Sequence, residues 1–283
     1  MFAITGITGQ VGGQLAHRLL EAGLPVRAVV RDAAKGEAWA VRGCEVALGA
    51  MDDAAALTAA FGGATAVFVL LPPTFDPTPG FVESRRNIAA LAEALSVARP
   101  GRVVALSTIG AEATETNLLS QLGLMEEALQ RLSLPVTFLR AAWFIENLAW
   151  DVAPACEAGL MASYLQPLDR PVAMVGTADV AEAAAALLQE DWAGRRIVNL
   201  EGPSRIAPLD LADALARALG RPVRAEAVPR EAWEARFRRD GMHNPMPRMR
   251  MLDGFNEGWI DFDAATSRKG RVTLDEVVRK LAG

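Results

Sequence analysis

Glycines recur at positions 6, 9 and 12, between a short apolar run, Phe2 to Thr5, and an amphipathic stretch that begins at Gln10. A strand that passes through Gly6-Ile7-Thr8-Gly9-Gln10-Val11-Gly12 into a helix needs a tight turn at the first glycine. It needs open approach to the backbone at the second and close helix-on-strand packing at the third. The start of such a helix carries unpaired N–H groups and the positive end of its dipole, which together suit phosphate. The spacing is Gly-x-x-Gly-x-x-Gly rather than Gly-x-Gly-x-x-Gly, yet strand, turn, helix and position in the chain match the context of a dinucleotide-binding turn. Three glycines in an ordinary turn are the alternative reading.

The rest of the first half repeats the same unit. Phe2 to Thr5, Val26 to Val30, Glu45 to Leu48, Ala66 to Leu71, Val103 to Ser107 and Val136 to Arg140 read as strands. Residues 10–22, 32–41, 53–61, 80–98 and 117–132 read as helices, with apolar residues at three- and four-residue spacing. This alternation predicts an α/β fold, a doubly wound parallel sheet of Rossmann type, whose ligand lies beyond the carboxyl ends of the strands. Residues 141–170 show little strand character, a helix is expected over Asp179 to Glu190, and Arg196 to Leu200 is expected to return to the main sheet. The division that follows is a cofactor domain over 1–140, rejoined by about 171–200. Residues 141–170 and 201–283 then form a smaller, mostly helical substrate or lid region.

A hydrophobic fraction of 51% with 22% charged residues is ordinary for a globular protein of 283 residues, and the formal charge of −5 argues against general affinity for nucleic acid or anionic lipid. No apolar run approaches the roughly 20 residues of a membrane span, and the strand-like start at Phe2 leaves no room for a signal peptide, so a cytoplasmic location is expected. A homo-oligomer is compatible with this composition. Cys44 and Cys156 lack metal-type spacing and read as small buried hydrophobes, and no metal site is expected.

Val30-Arg31-Asp32 closes the second predicted strand, about 25 residues past Gly6, and Lys35 follows one helical turn later. An acidic residue at this point suits the ribose hydroxyls of NAD(H), whereas arginine suits the 2′-phosphate of NADP(H). Two cations facing one phosphate point to NADP(H). The alternative is a solvated helix start, with Asp32 as N-cap and Arg31 merely exposed.

With these residues in view, the chain resembles the NmrA-like branch of the atypical short-chain dehydrogenase/reductases over nearly its whole length. The resemblance rests on Thr5 to Gly12, Val29-Val30-Arg31, Leu106-Ser107-Thr108-Ile109-Gly110, Leu134 to Arg140, and Trp143-Phe144-Ile145-Glu146-Asn147. It implies an NADP(H) binder with a small C-terminal substrate region, in a family that includes quinone reductases and non-catalytic cofactor sensors. It further implies that Gly6, Thr8, Gly9, Gln10, Val11 and Gly12 hold the pyrophosphate, Arg31 and Lys35 the 2′-phosphate, and that Met51 and Asp52 flank the adenine. Leu70, Leu71 and Pro72 would line the cofactor's path, and Ser107 and Thr108 would lie near the nicotinamide.

The chain departs from typical short-chain dehydrogenases at the acid. Those enzymes use a tyrosine and a lysine four residues apart, but the single tyrosine here, Tyr164, is followed by Leu168, and no lysine occurs between Lys35 and Lys269. Hydride addition to a simple ketone leaves an alkoxide whose conjugate acid has a pKa near that of water, about 15.7, so a positioned acid is needed. Addition to a quinone leaves a phenolate-like anion with a pKa of about 10, which solvent can protonate. The expected partner is therefore an aromatic, quinone-like or otherwise conjugated acceptor, and sugar epimerisation is disfavoured. Ser107 is the one catalytic candidate, as a hydrogen-bond donor to the acceptor, against the plainer reading of a strand-end hydroxyl.

Trp143, Phe144 and Asn147 could form a stacking wall for the acceptor, or the rings could plug the seam to the C-terminal portion. Glu146 would be an acid of raised pKa if buried. Met242 to Met251 reads as a lid or as core, and neither His17 nor His243 is taken as a ligand. Two readings remain: a reductase that works without a tyrosine acid, and a non-catalytic NADP(H) sensor that binds a protein partner.

Overall fold

Alternate residues of the first strand enter different cores. Phe2 and Ile4 join the larger apolar cluster on one face of the sheet, while Ala3 joins a second cluster on the other. The fourth strand splits in the same way, Ala66 and Phe68 against Val67 and Val69, as a parallel sheet covered on both sides requires. A computed structural model describes all 283 residues. It begins β1 (Phe2–Ile4), α1 (Gln10–Glu21), β2 (Val26–Val30), α2 (Ala33–Ala40), β3 (Glu45–Leu48), α3 (Ala54–Phe61), β4 (Ala66–Val69), α4 (Val82–Ala98), β5 (Val103–Thr108), α5 (Ser120–Leu129) and β6 (Val136–Ala141). It continues with β7 (Trp143–Phe144), a 3₁₀ turn (Ile145–Leu148), α6 (Ala149–Ala158), β8 (Leu160–Ser163), β9 (Met174–Val175), α7 (Thr177–Gln189) and β10 (Arg195–Glu201). The chain ends in α8 (Pro208–Leu219), β11 (Arg224–Ala227), α9 (Trp233–Arg239), α10 (Met246–Glu257), β12 (Arg268–Lys269) and α11 (Leu274–Leu281).

Eight parallel strands form the main sheet, in the order β12-β10-β6-β5-β4-β1-β2-β3. The order reverses between β1 and β4, the place where an open α/β sheet leaves a crevice at its carboxyl edge. The doubly wound expectation holds, and so does the return of residues 196–200 to this sheet beside β6.

Three local expectations need correction. The fourth strand stops at Val69, because Leu70 turns to cover Gly6 and the following pair Pro72-Pro73 cannot continue a central ladder. Residues 141–170 contain strand after all: β7 pairs with β9, and β8 pairs with β11. These two-stranded pieces join segments far apart in sequence, so no local alternation announces them. Cys156 is exposed on α6, since that helix buries only Ala155, in a cluster shared with α8 and α11, whereas Cys44 is buried as expected. The eighth strand, β12, is two exposed charged residues. It is held because Lys269 lies 2.6 Å from the buried carboxylate of Glu201, which Arg205 also approaches at 3.3 Å.

Candidate active site

The turn after β1 is built from contacts that exclude side chains. Gly6 has φ +63°, and a Cβ there would lie 2.8 Å from the Leu70 side chain. A Cβ on Gly12 would sit 2.3 Å from the Gly6 carbonyl oxygen, so α1 can press against the turn only with glycine in that place. Thr5 fastens the turn to the neighbouring strand end: its hydroxyl donates to the Phe68 carbonyl at 3.3 Å and accepts the Leu70 N–H at 3.2 Å. Thr8, Gly9 and Gln10 are exposed at the carboxyl edge of the sheet, and Val11 turns inward.

Gly9 is the N-cap of α1, so no side chain caps the helix, and no acidic residue occupies its first turn. Its first N–H groups thus face outward without a partner from the chain. The adjacent α7 is the opposite case. Glu146 accepts both the Thr177 N–H at 2.8 Å and the Thr177 hydroxyl at 2.5 Å, and Gln14 of α1 donates to that same hydroxyl at 3.0 Å. Glu146 is thereby a helix cap rather than a free acid. Its second oxygen, Oε2, is buried with no hydrogen-bond partner.

At the end of β2, Asp32 turns back to cap α2, its carboxylate accepting the Ala34 N–H at 2.9 Å. Arg31 and Lys35 are exposed, and neither makes an ion pair or a side-chain hydrogen bond. Asp32 as N-cap beside an exposed Arg31 is the arrangement of the solvated helix start, and it leaves Arg31 and Lys35 without a partner in the chain. Met51 is half-buried against the second core, and Asp52 is exposed, 3.9 Å from Arg86. Leu70, Leu71 and Pro72 are all half-buried where β4 leaves the sheet beside the glycine turn.

Ser107 does not face this crevice freely. It is buried, and its hydroxyl donates to Glu126 of α5, whose carboxylate is held by Arg140 through Nε at 2.9 Å and Nη2 at 2.6 Å. Glu112 adds a second carboxylate on Arg140. Burial opposes the charge on Arg140, but Glu126 and Glu112 more than offset it and raise its pKa. With its one proton committed to Glu126, Ser107 has none left to donate to an acceptor. Thr108, the last residue of β5, is half-buried. The Glu126–Arg140 pair escaped sequence reasoning, although an arginine near the end of a mostly apolar strand, after a helix bearing Glu126-Glu127, was its available signal.

On the far side, Trp143 takes the seam-plugging role. Trp143 meets Phe255 of α10 edge-on at 5.2 Å, so it seals the seam, while Phe144 and Asn147 remain half-buried beyond it. The loop after β4 crosses over: Phe75 meets Trp150 edge-on at 6.0 Å, and Asp76 accepts the N–H groups of His243 at 2.9 Å and Asn244 at 2.7 Å. His243 Nδ1 lies 3.0 Å from the same carboxylate. Within the expected lid, Met249 and Met251 are buried core and Met246 is exposed. Tyr164 stacks on Phe237 at 5.0 Å, and His17 tilts against Trp39 at 5.1 Å. Asp151 is half-buried with no hydrogen-bond or ion-pair partner, and burial pushes its carboxyl up to about 6.

The model of the NmrA-like family matches residues 1–258. An NAD(P)H azoreductase of Xenophilus azovorans is 30% identical over 259 residues, covering 91% of this chain and 85% of the relative. A (4-alkanoyl-5-oxo-2,5-dihydrofuran-3-yl)methyl phosphate reductase of Streptomyces griseus is 36% identical over 233 residues, 81% of this chain and 77% of its own length. The crystal structure of an NADPH-dependent quinone oxidoreductase from Escherichia coli, complexed with NADPH, superimposes with a TM-score of 0.83 at 25% identity, over 99% of both chains.

Proposed function

The chain belongs to the NmrA-like family, and from that premise we propose that it is an NADP(H)-dependent oxidoreductase that reduces a quinone-like or other conjugated acceptor without a tyrosine–lysine acid pair. The observation that carries this reading is the contrast between two neighbouring helix starts. The chain neutralises α7 with Glu146 but leaves α1 uncapped behind a turn where a Cβ would collide, with the unpaired cations Arg31 and Lys35 at the next strand end. Such a cradle fits a pyrophosphate at α1 and a 2′-phosphate at the two cations.

In this reading the main chain of Gly6, Thr8, Gly9, Gln10, Val11 and Gly12 binds the pyrophosphate, and Arg31 and Lys35 bind the 2′-phosphate. Met51 and Asp52 flank the adenine, Leu70, Leu71 and Pro72 border the dinucleotide's path, and Ser107 and Thr108 lie beside its nicotinamide end. Bound NADPH supplies the hydride. Residues 141–170 and 201–283 form the acceptor side, with Trp143, Phe144 and Asn147 lining it. Burial of the acceptor against these rings excludes water and fixes its orientation, which is most of what an activated acceptor requires.

The helix that would carry a tyrosine–lysine pair, α5, presents leucines, Met125 and the Glu126 tied to Arg140. An acceptor whose reduced form is a weak base fits that lack of an acid. The acceptors for which the relatives are named, a quinone, an azo compound and an alkanoyl-oxo-dihydrofuran, are all conjugated.

Titration with both cofactors, and NADPH oxidation against a panel of quinones, test the reading. Arg31→Ala is expected to weaken NADPH binding by about tenfold or more, the scale of a lost charge-assisted hydrogen bond, and to leave NADH nearly unaffected. Equal or tighter binding of NADH by the native chain would overturn the NADP(H) assignment. Tight NADPH binding with no turnover of any acceptor, and a protein partner whose binding depends on NADPH, would replace the reductase by a sensor.

A further inference from the structure

Six arginines lie between residues 230 and 250, and the chain supplies carboxylates for four of them. Arg230 pairs with Asp253 at 2.6 Å, and Arg250 reaches Glu115 at 3.0 Å and Asp253 at 3.5 Å. Arg248 on α10 has, like Arg236 on α9, neither an ion pair nor a side-chain hydrogen bond. Its guanidinium lies over the Phe237 ring, 4.8 Å from the centroid, in an aromatic group that continues through Tyr164 to Trp233. It is half-buried, and burial holds its pKa below the ordinary value, with Tyr164 and Asp240 countering only in part. A cation withdrawn from water without a partner is costly to the fold, and a guanidinium fork is shaped for two oxygens of one oxyanion.

Phe255, two helical turns after Arg248 on the same face of α10, is the ring that meets Trp143. Seven residues of helix rise about 10.5 Å, so a planar molecule lying beside Trp143 needs a substituent on the order of 10 Å away to touch Arg248. We propose that Arg248 is the receptor for an oxyanion, a sulfonate, carboxylate or phosphate ester, carried by the conjugated acceptor. This deepens the reductase reading and rests on its placement of the acceptor beside Trp143. Arg248 thereby sets specificity and takes no part in proton or hydride movement.

The test measures binding without cofactor, by tryptophan quenching or calorimetry, using as probes 2-(4-sulfophenyl)-1,4-naphthoquinone, whose sulfonate sits one aryl ring beyond the quinone, and the uncharged 2-phenyl-1,4-naphthoquinone. The native chain is expected to bind the sulfonate about tenfold or more tightly, a preference that weakens as salt is raised. Arg248→Met, which keeps the length and apolar stem, should abolish the preference while leaving the uncharged quinone unchanged. Arg248→Lys should restore part of it. Arg239→Met, which removes an exposed cation on α9, should leave the preference intact and so separates local recognition from net charge. An unchanged preference in Arg248→Met, or equal loss for both probes with an unchanged melting temperature, would overturn the proposal. NADPH oxidation by the native chain with the uncharged quinone tests the reductase reading separately. Turnover without a sulfonate preference sinks only the role of Arg248, and an Arg248-dependent preference without turnover sinks only the enzyme.

Discussion

At the scale of the residue, the structure sorts the polar groups by whether their protons and charges are already spent. Ser107 is spent: it donates to Glu126 inside a buried pair with Arg140. Ser107→Ala should therefore cost stability, about 1.5–3 kcal/mol for a buried hydrogen bond to a charged group, with little change in turnover per folded molecule. Denaturant titration alongside NADPH oxidation would check it, and a large rate loss at unchanged stability would instead return Ser107 to the chemistry. Asp151 is unspent, because its carboxyl is half-buried, has no partner and titrates near pH 6. A carboxyl raised in the folded state binds its proton more tightly there than in the unfolded chain, where it titrates near 3.9. The penalty it imposes is therefore fully present above about pH 6 and disappears as the pH falls to the unfolded value. Discounted for its partial exposure, that penalty is about 1–2 kcal/mol. Asp151→Asn should stabilise the protein by that amount at pH 7.5 and by almost nothing at pH 3.5, read from unfolding curves at the two values.

At the scale of the element, two neighbouring helix starts differ in whether a side chain of the protein caps them. Gly12→Ala would place a methyl 2.3 Å from the Gly6 carbonyl and push α1 off its turn. We expect about 1–3 kcal/mol of destabilisation, the range for an overpacked contact, together with loss of the thermal shift that NADPH gives the native chain. A variant that keeps the full NADPH shift would argue against the cradle. Glu146→Ala uncaps α7 and should cost about 1 kcal/mol, the usual worth of a helix cap, visible as a lower unfolding midpoint. Neither effect depends on the identity of the acceptor. The glycine turn was legible beforehand because its demands are local: a backbone angle, a close approach and a helix that begins at once. The capping of α7 was not, since Glu146 reaches it across 31 residues of sequence.

At the scale of the molecule, the loop after β4 and the segment before α10 form a clasp across the crevice, with Asp76 holding two backbone N–H groups of that segment. Those donors hold the Asp76 carboxyl below its ordinary pKa, so the clasp is intact above that range and weakens as acid protonates it. Asp76→Ala should speed amide exchange in residues 73–80 and 242–247 with a midpoint change of less than about 1 kcal/mol, since the contact lies at the surface. Exchange unchanged in both segments would mean that the clasp does not hold them together.

No helix is long and apolar enough to cross a membrane. What the amino-acid sequence determined alone was the repeating strand–helix order, the glycine turn and the cations after the second strand. Each is written in neighbouring residues through periodicity, turn geometry and spacing. Tertiary structure alone decided which carboxylates were taken: Glu126 by Arg140, Glu146 by α7, Asp253 by Arg230, and none by Arg248. The eighth strand, the pairing of β7 with β9 and the position of Trp143 against Phe255 were decided there too. Pairing between segments distant in sequence has no local period to reveal it, and whether a charge is free depends on which partner the fold brings within hydrogen-bonding distance.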